Sequence, residues 1–273
     1  MLNDIFTALI VVSLVGLVFG ILLALVIRFF GVEDDERTKS IRAALPGVNC
    51  GACGFTGCNE YAVALAKGET TPNKCIPGSS ATAQQLGEIL GVTVEQSAAL
   101  VAFVHCNGDC GSAQEKAICD GISTCKARAS LFGGSKACSY GCLGCGDCTK
   151  VCASNAICIV DGIARIDTSR CLGCGLCAKE CPKKIISMIP QNATSAVFCS
   201  SKDKGADARK LCKNACIGCK KCEKTCPAQA ITVINNCALI NYEKCNGCGL
   251  CTENCPTACL KSIFSPIAQE INV

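Results

Sequence analysis

Hydrophobic and polar positions give the chain two textures. From Ile5 to Ile27 the polar side chains are Thr7 and Ser13 alone. As a helix rising 1.5 Å per residue, that stretch reaches about 34 Å, enough for a hydrocarbon core of about 30 Å. A secretory signal peptide would want positive charge before the run and small residues after it. The chain has Asn3 and Asp4 before it and Arg28-Phe29-Phe30 after it. The pattern therefore predicts an uncleaved transmembrane helix within residues 1–30. Arg28, Arg37, Lys39 and Arg42 follow, which places the bulk of the chain on the cytoplasmic side, and the nearby Glu33, Asp34, Asp35 and Glu36 count for little in that rule. Gly16, Gly20 and Ala24 share one helix face, a spacing that suits close helix pairing but also arises by chance in a lone span.

The remaining chain alternates short periodic stretches with turns. Glu60 to Ala66 reads as a helix ended by Gly68. Ser79 to Val104 also looks helical: Gln84 to Leu90 ends at Gly91, and Val94-Glu95-Gln96 begins a second periodic stretch that would pack between modules. Ala156 to Ile166 predicts two short strands about Asp161-Gly162, and Ala230 to Ile240 repeats this about Asn235-Asn236.

Composition changes the picture. The chain has 273 residues and 30 cysteines, which points to small modules held by metal rather than one large core. One His and no Trp argue against haem and His-rich zinc sites. A net charge of +4 is too mild for nucleic acid, and no basic stretch carries the interleaved aromatics of a single-strand binder.

The cysteines form runs. Cys142, Cys145, Cys148 and Cys152 are followed by Cys171, Cys174, Cys177 and Cys181-Pro182. The spacing returns as Cys216, Cys219, Cys222 and Cys226-Pro227, then Cys245, Cys248, Cys251 and Cys255-Pro256. Such runs hold [4Fe–4S] clusters, the fourth Cys of each ligating the other cluster of its pair. A disulfide framework fits poorly, because cysteines at every third residue converge on one centre rather than on separate partners. Structural zinc prefers two separated pairs. The thiols also imply a reducing compartment.

Upstream, Cys50, Cys53, Cys58 and Cys75 lie in one compact segment with Gly51, Gly54 and Gly57, which suits a further [4Fe–4S] cluster and its backbone approach to sulfur. A transmembrane helix, an acidic–basic linker, this Cys50-Gly-Ala-Cys53-Gly-x-x-Gly-Cys58…Cys75 module and tandem ferredoxin runs together resemble the B subunits of Rnf complexes. The resemblance covers essentially the whole chain. It implies a membrane-bound, ion-translocating ferredoxin:NAD oxidoreductase of a bacterial cytoplasmic membrane, with this chain as its iron–sulfur arm. Reduced ferredoxin would be the donor, and the acceptors would be other membrane and NAD-binding subunits. It also implies the small α+β sandwich of bacterial 2[4Fe–4S] ferredoxins, with short helices beside the fourth Cys of a run. Ala153 departs from the family's Pro, which loosens a local constraint and leaves the thiols in place.

The expected layout is α+β: an anchor (1–30), a four-Cys domain (31–78), a connecting segment (79–137) and two tandem ferredoxin units (138–190 and 191–273). At least five clusters follow. When Cys142 is laid on Cys216, Cys138 falls on Cys212 and Cys125 on Cys199, as in a duplicated unit. Cys158, Cys237 and Cys259 fall on Thr232, Ile163 and Ile185, so they read as packing, like Cys119. His105 also reads as a surface or packing residue. Cys106, Cys110, Cys125 and Cys138 could complete a further cluster or remain reduced packing residues. Cys138 and Cys212 could instead compete with Cys145 and Cys219 for a corner, and the role of Cys199 stays open.

No G-x-G-x-x-G follows a strand, no Walker loop is present and no nucleophilic triad can be assembled, so NAD, flavin and ion sites are expected on partners. Between Lys202 and Lys224 the cations Lys202, Lys204, Arg209, Lys210, Lys213, Lys220, Lys221 and Lys224 outnumber Asp203, Asp207 and Glu223. The stretch is either a solvated face or a docking patch for an acidic donor. The alternative assignment is a polyferredoxin arm of another membrane dehydrogenase or hydrogenase. A zinc-stapled interaction protein is the non-enzyme rival.

Overall fold

The computed structural model describes residues 2–30, 35–94 and 99–263. Helix α1 (Leu2–Phe30) runs for 29 residues, and its described side chains, at residues 5–6 and 9–25, are all exposed. Among the residues whose side chains are described, no helix is long and apolar enough to cross a membrane. Glu33 and Asp34 of the linker, and residues 95–98 of the second periodic stretch expected from Val94, lie outside the described residues.

Three helices build the four-Cys domain: α2 (Glu36–Ala44), α3 (Cys58–Ala66) and α4 (Ser79–Leu90). Ile41, Tyr61, Leu65 and Leu86 bury almost completely between them. The Tyr61 hydroxyl stays satisfied by donating to the Thr71 carbonyl at 2.8 Å, and burial pushes its pKa up to about 12. Gly91 caps α4 in the left-handed region, as its position after Leu90 predicts. The core thus takes in α4, beyond the boundary expected at residue 78, because Leu86 is the apolar face that closes it.

Strand β1 (Leu100–Val104) corrects the helical reading of Ser79 to Val104 at its far end. Helix α5 (Cys125–Ser130), capped by the Thr124 hydroxyl, follows it, and then α6 (Asp147–Lys150). Strands β2 (Ile157–Val160) and β3 (Ile163–Ile166) form the expected hairpin, with Asp161 and Gly162 both at positive φ, as a tight two-residue turn needs. Helix α7 (Leu176–Glu180) and strand β4 (Ile186–Pro190) complete the unit. β1 pairs antiparallel with β4, Val104 opposite Ile186. That pairing overrides local helical periodicity: β-branched and aromatic residues of a strand are stabilised by a partner far along the chain.

The second unit repeats the plan. It contains β5 (Ser195–Val197), α8 (Gly205–Leu211), α9 (Lys221–Thr225), β6 (Ile231–Ile234), β7 (Cys237–Ile240), α10 (Leu250–Glu253) and β8 (Leu260–Ser262). β6 and β7 form the hairpin about Asn235-Asn236, and β5 pairs with β8, Val197 opposite Leu260. His105 ties the units together. One ring nitrogen lies 2.7 Å from the Val197 carbonyl and the other 2.6 Å from the Ser187 hydroxyl. Burial holds its pKa down, and Phe103 packs edge-on against it, so His105 is a packing residue.

Candidate metal centres

Four of the five standard cysteine sets converge in space; in the other, Cys142, Cys148 and Cys181 meet, with Cys145 beside Cys125. In the four-Cys domain, Asn49 accepts from the Cys58 backbone N–H at 2.8 Å, which starts α3 with Cys58 at its first position. Gly54, at φ 91, turns the loop between Cys53 and Cys58 in a conformation that side chains resist. Burial pushes the Cys75 thiol up, and Cys58, Cys53 and Cys50 lie near enough to add to the shift. These four make group I.

In the first ferredoxin unit the third Cys of each run sits on a short helix, Cys148 on α6 and Cys177 on α7. Burial pushes both thiols up to about 12. The cysteines acting on Cys177 are Cys171, Cys174 and Cys152, and those acting on Cys148 include Cys142 and Cys181. The fourth Cys of each run has therefore crossed to the other set. Group II is Cys142, Cys145, Cys148 and Cys181; group III is Cys171, Cys174, Cys177 and Cys152. A cavity partly open to solvent is lined by Cys142, Cys148 and Cys181.

The second unit repeats the exchange. Cys216, Cys219, Cys222 and Cys255 line one cavity and form group IV. Cys245, Cys248 and Cys226 act on Cys251 and complete group V. Cys219 and Cys248 are exposed, and the third cysteines Cys222 and Cys251 are buried.

Two observations fit these groups to [4Fe–4S] clusters. Backbone amides point at sulfurs in equivalent places: Ala156 N–H donates to Cys152 Sγ and Ala230 N–H to Cys226 Sγ, each at 3.3 Å. Ala164 N–H and Ala102 N–H donate to Cys142 and Cys171, each at 3.4 Å. Such donors suit sulfurs carrying negative charge. Burial raises the third thiols Cys148, Cys177, Cys222 and Cys251, so each would sit there as a thiolate only with cationic iron beside it. Among the described residues no three His, Cys, Asp or Glu stand close enough for one metal ion. A cubane keeps its thiolates farther apart, since irons and sulfides stand between them.

The remaining cysteines divide differently from their spacing. The structure does not bring Cys106, Cys110, Cys125 and Cys138 together. Cys125 lies beside Cys145, within hydrogen-bonding reach of it, and lines the group II cavity. The neighbour contesting that corner is therefore Cys125, not Cys138. Cys110 is exposed, and its N–H donates to the Asp161 carbonyl at 3.0 Å. Cys119 is partly exposed, with its carbonyl 3.3 Å from Arg128. Cys158 packs on the hairpin, 4.0 Å from the Arg165 carbonyl.

Cys237 and Cys259 are buried as expected, but they also touch ligand sulfurs. Cys259 Sγ lies 3.6 Å from Cys255 Sγ, and that contact holds the Cys255 pKa down to about 5. Cys237 and Cys259 both lower Cys216 through hydrogen bonds. The counterparts Ile163 and Ile185 offer no donor. A donor to a cluster sulfur favours the reduced, more negative state. Replacing Cys259 by the Ile that the other unit uses is expected to lower one midpoint potential by about 40 mV, the equivalent of one hydrogen bond. A redox titration followed by EPR checks this, and an unchanged set of potentials would leave Cys259 as packing alone.

The comparisons with known proteins agree with the modules. A family model for an Fe-S cluster matches residues 45–77, one for a 4Fe-4S dicluster domain matches 141–185, and one for a 4Fe-4S binding domain matches 213–232 and 238–261. The chain is 41% identical over 246 residues to the B subunit of the Na⁺-translocating ferredoxin:NAD⁺ oxidoreductase complex of Acetobacterium woodii, covering 90% of this chain and 74% of that protein. It is 43% identical over 246 residues to the B subunit of the proton-translocating ferredoxin:NAD⁺ oxidoreductase complex of Clostridium ljungdahlii, covering 89% and 87%. Against the B subunit of the ion-translocating oxidoreductase complex of Methanosarcina acetivorans it is 34% identical over 233 residues, covering 84% and 88%.

Proposed function

The chain belongs to the family of B subunits of ion-translocating ferredoxin:NAD⁺ oxidoreductase complexes, and from that premise we propose that it carries electrons from cytoplasmic ferredoxin toward the membrane subunits of such a complex. The observation that carries this reading is the contact between modules. Cys50 of group I lies near enough to Cys174 of group III to raise its pKa, so the four-Cys domain docks against a ferredoxin unit. Clusters bound at the five groups would each store and release one electron. The residues set the route, with Cys50, Cys53, Cys58 and Cys75 nearest in sequence to α1.

α1 supports a single membrane span with the bulk of the chain on the cytoplasmic side. Its length and its row of exposed apolar side chains, including Leu9, Leu17 and Phe19, need a non-aqueous cover. The proposed division is an anchor, a four-Cys domain with α4 included, and two ferredoxin units linked through His105. NAD binding and ion movement belong to the partner subunits.

The donor face is read at Cys219. It is exposed, and so are all eight cations from Lys202 to Lys224, with Lys220 and Lys221 directly following it. An acidic carrier would be steered to that edge. Reduced ferredoxin mixed anaerobically with the detergent-solubilised chain is expected to bleach its visible absorption. The second-order rate should fall roughly tenfold or more as salt rises from low to several hundred millimolar. No bleaching would end the electron-carrier reading, and bleaching with a flat salt profile would end the docking patch alone.

A further inference from the structure

Four cysteines outside the standard runs meet at the boundary between the two ferredoxin units. Cys106, Cys138, Cys199 and Cys212 line one cavity, partly open to solvent. Cys106, Cys199 and Cys138 all act on Cys212.

The strand registers explain the meeting. Val104 stands opposite Ile186 in one unit, and Val197 opposite Leu260 in the other. The next backbone bonds match: His105 N–H donates to the Ile185 carbonyl and Phe198 N–H to the Cys259 carbonyl, both at 2.7 Å. Cys106 and Cys199 are therefore structural equivalents, each two residues past its strand. Cys138 and Cys212 are equivalents by the repeat, each four residues before a run. Each unit contributes the same pair to one cavity.

A buried cation also borders the cavity. Lys136 lines it and is 4% exposed. Its ammonium donates to the Gly108 and Gly162 carbonyls at 2.7 and 2.9 Å, and none of the described ion pairs includes it. No carboxylate lines the cavity. A buried ammonium is costly without an anion; Lys136 already acts on Cys142 of group II, and four thiolates around an iron–sulfur core would add a net negative charge on its cavity side. Gly108 brings the backbone close: a Cβ there would stand 3.3 Å from Cys212 Sγ and 3.8 Å from Cys106 Sγ.

We infer that Cys106, Cys138, Cys199 and Cys212 ligate a sixth [4Fe–4S] cluster, shared by the two ferredoxin units, with Lys136 as its counter-charge. This rests on the iron–sulfur reading above. Each thiol releases one proton on binding iron, and the inorganic core arrives from the assembly machinery that loads the other groups. The position joins the units. Cys142 N–H of group II donates to Cys106 Sγ at 3.3 Å, and the Cys216 backbone of group IV lies close enough to Cys199 to help hold its thiol pKa down. The shared cluster closes the gap between groups II and IV, so the two units form one continuous relay.

Native mass spectrometry of the anaerobically prepared full chain decides the count. Six clusters are expected, and five in the Cys138→Ala/Cys212→Ala double variant, with iron and acid-labile sulfide each about four lower per chain. A Cys158→Ala control should keep the full complement. Five clusters in the wild-type chain, zinc in place of the sixth, or unchanged iron in the double variant would overturn the shared site and leave the electron-carrier reading standing. A wild-type chain with no cluster would overturn both. The wild-type count answers the question even where the double variant fails to fold.

Discussion

Stripping the clusters with an iron chelator and oxidant, then restoring reductant, is expected to abolish cooperative unfolding of both ferredoxin units. Their sheets are all two-stranded, and an isolated two-stranded sheet is marginal in water. Helices α6 and α10 have 4 residues each, and α7 and α9 have 5. About 12–15 residues are needed before a helix is even marginal alone. Their interiors are built from the ligands themselves: Cys106, Cys142, Cys148 and Cys177 sit in the core of one unit, and Cys216, Cys222 and Cys251 in that of the other. Binding free energy at such a site is folding free energy. The four-Cys domain should keep part of its helical signal, because Ile41, Tyr61, Leu65 and Leu86 pack without metal. Far-UV circular dichroism on heating, with amide exchange in the β2–β3 and β6–β7 hairpins, measures this. A stripped chain that still melts sharply with protected hairpins would show that the apolar contacts suffice.

Gly173→Ala is expected to cost about 3 kcal/mol or more and to empty group III. Gly173 sits at φ +68, and a Cβ there would stand 2.2 Å from the Leu100 carbonyl oxygen and 3.6 Å from Ile76. The left-handed conformation alone costs a side chain about 1–2 kcal/mol. The backbone contact cannot be relieved by a rotamer change, so β1 must shift, which adds about 1–3 kcal/mol. The loop carries Cys171 and Cys174 on either side of Gly173, so the shift opens the ligand set and about four irons are lost per chain. Gly249→Ala makes the comparison clean. It sits at φ +78 with nothing within 4 Å, so that variant should keep its iron and lose only the conformational contribution. Equal iron content in the two variants would show that the contact with Leu100 is easily relieved.

The runs and both hairpins were legible because they are local, and the exchange of fourth cysteines because the runs come in pairs. A cluster's ligands fall at fixed short spacings, and an Asp-Gly or Asn-Asn turn fixes a hairpin without reference to anything distant. β1 was not legible, because Leu100 to Val104 is a strand only by virtue of Ile186 to Pro190. The grouping of Cys106, Cys138, Cys199 and Cys212 was hidden for a related reason. The repeat lays Cys125 on Cys199, whereas strand register makes Cys106 the counterpart. The stretch between strand and first run is longer in the first unit, so sequence offset and structural equivalence part company upstream of Cys138. The burial of Cys237 and Cys259 is readable from the apolar residues they overlay, but which sulfurs they touch depends on the folded chain.

An interior made of thiols has a bearing on how the cell maintains this protein. A polypeptide that reaches its native state only when loaded with iron and sulfide is, until then, an open chain accessible to proteases. The standing amount of working protein should therefore follow iron supply and maturation capacity even at constant messenger level, with starvation registered as faster turnover rather than as a pool of inactive copies.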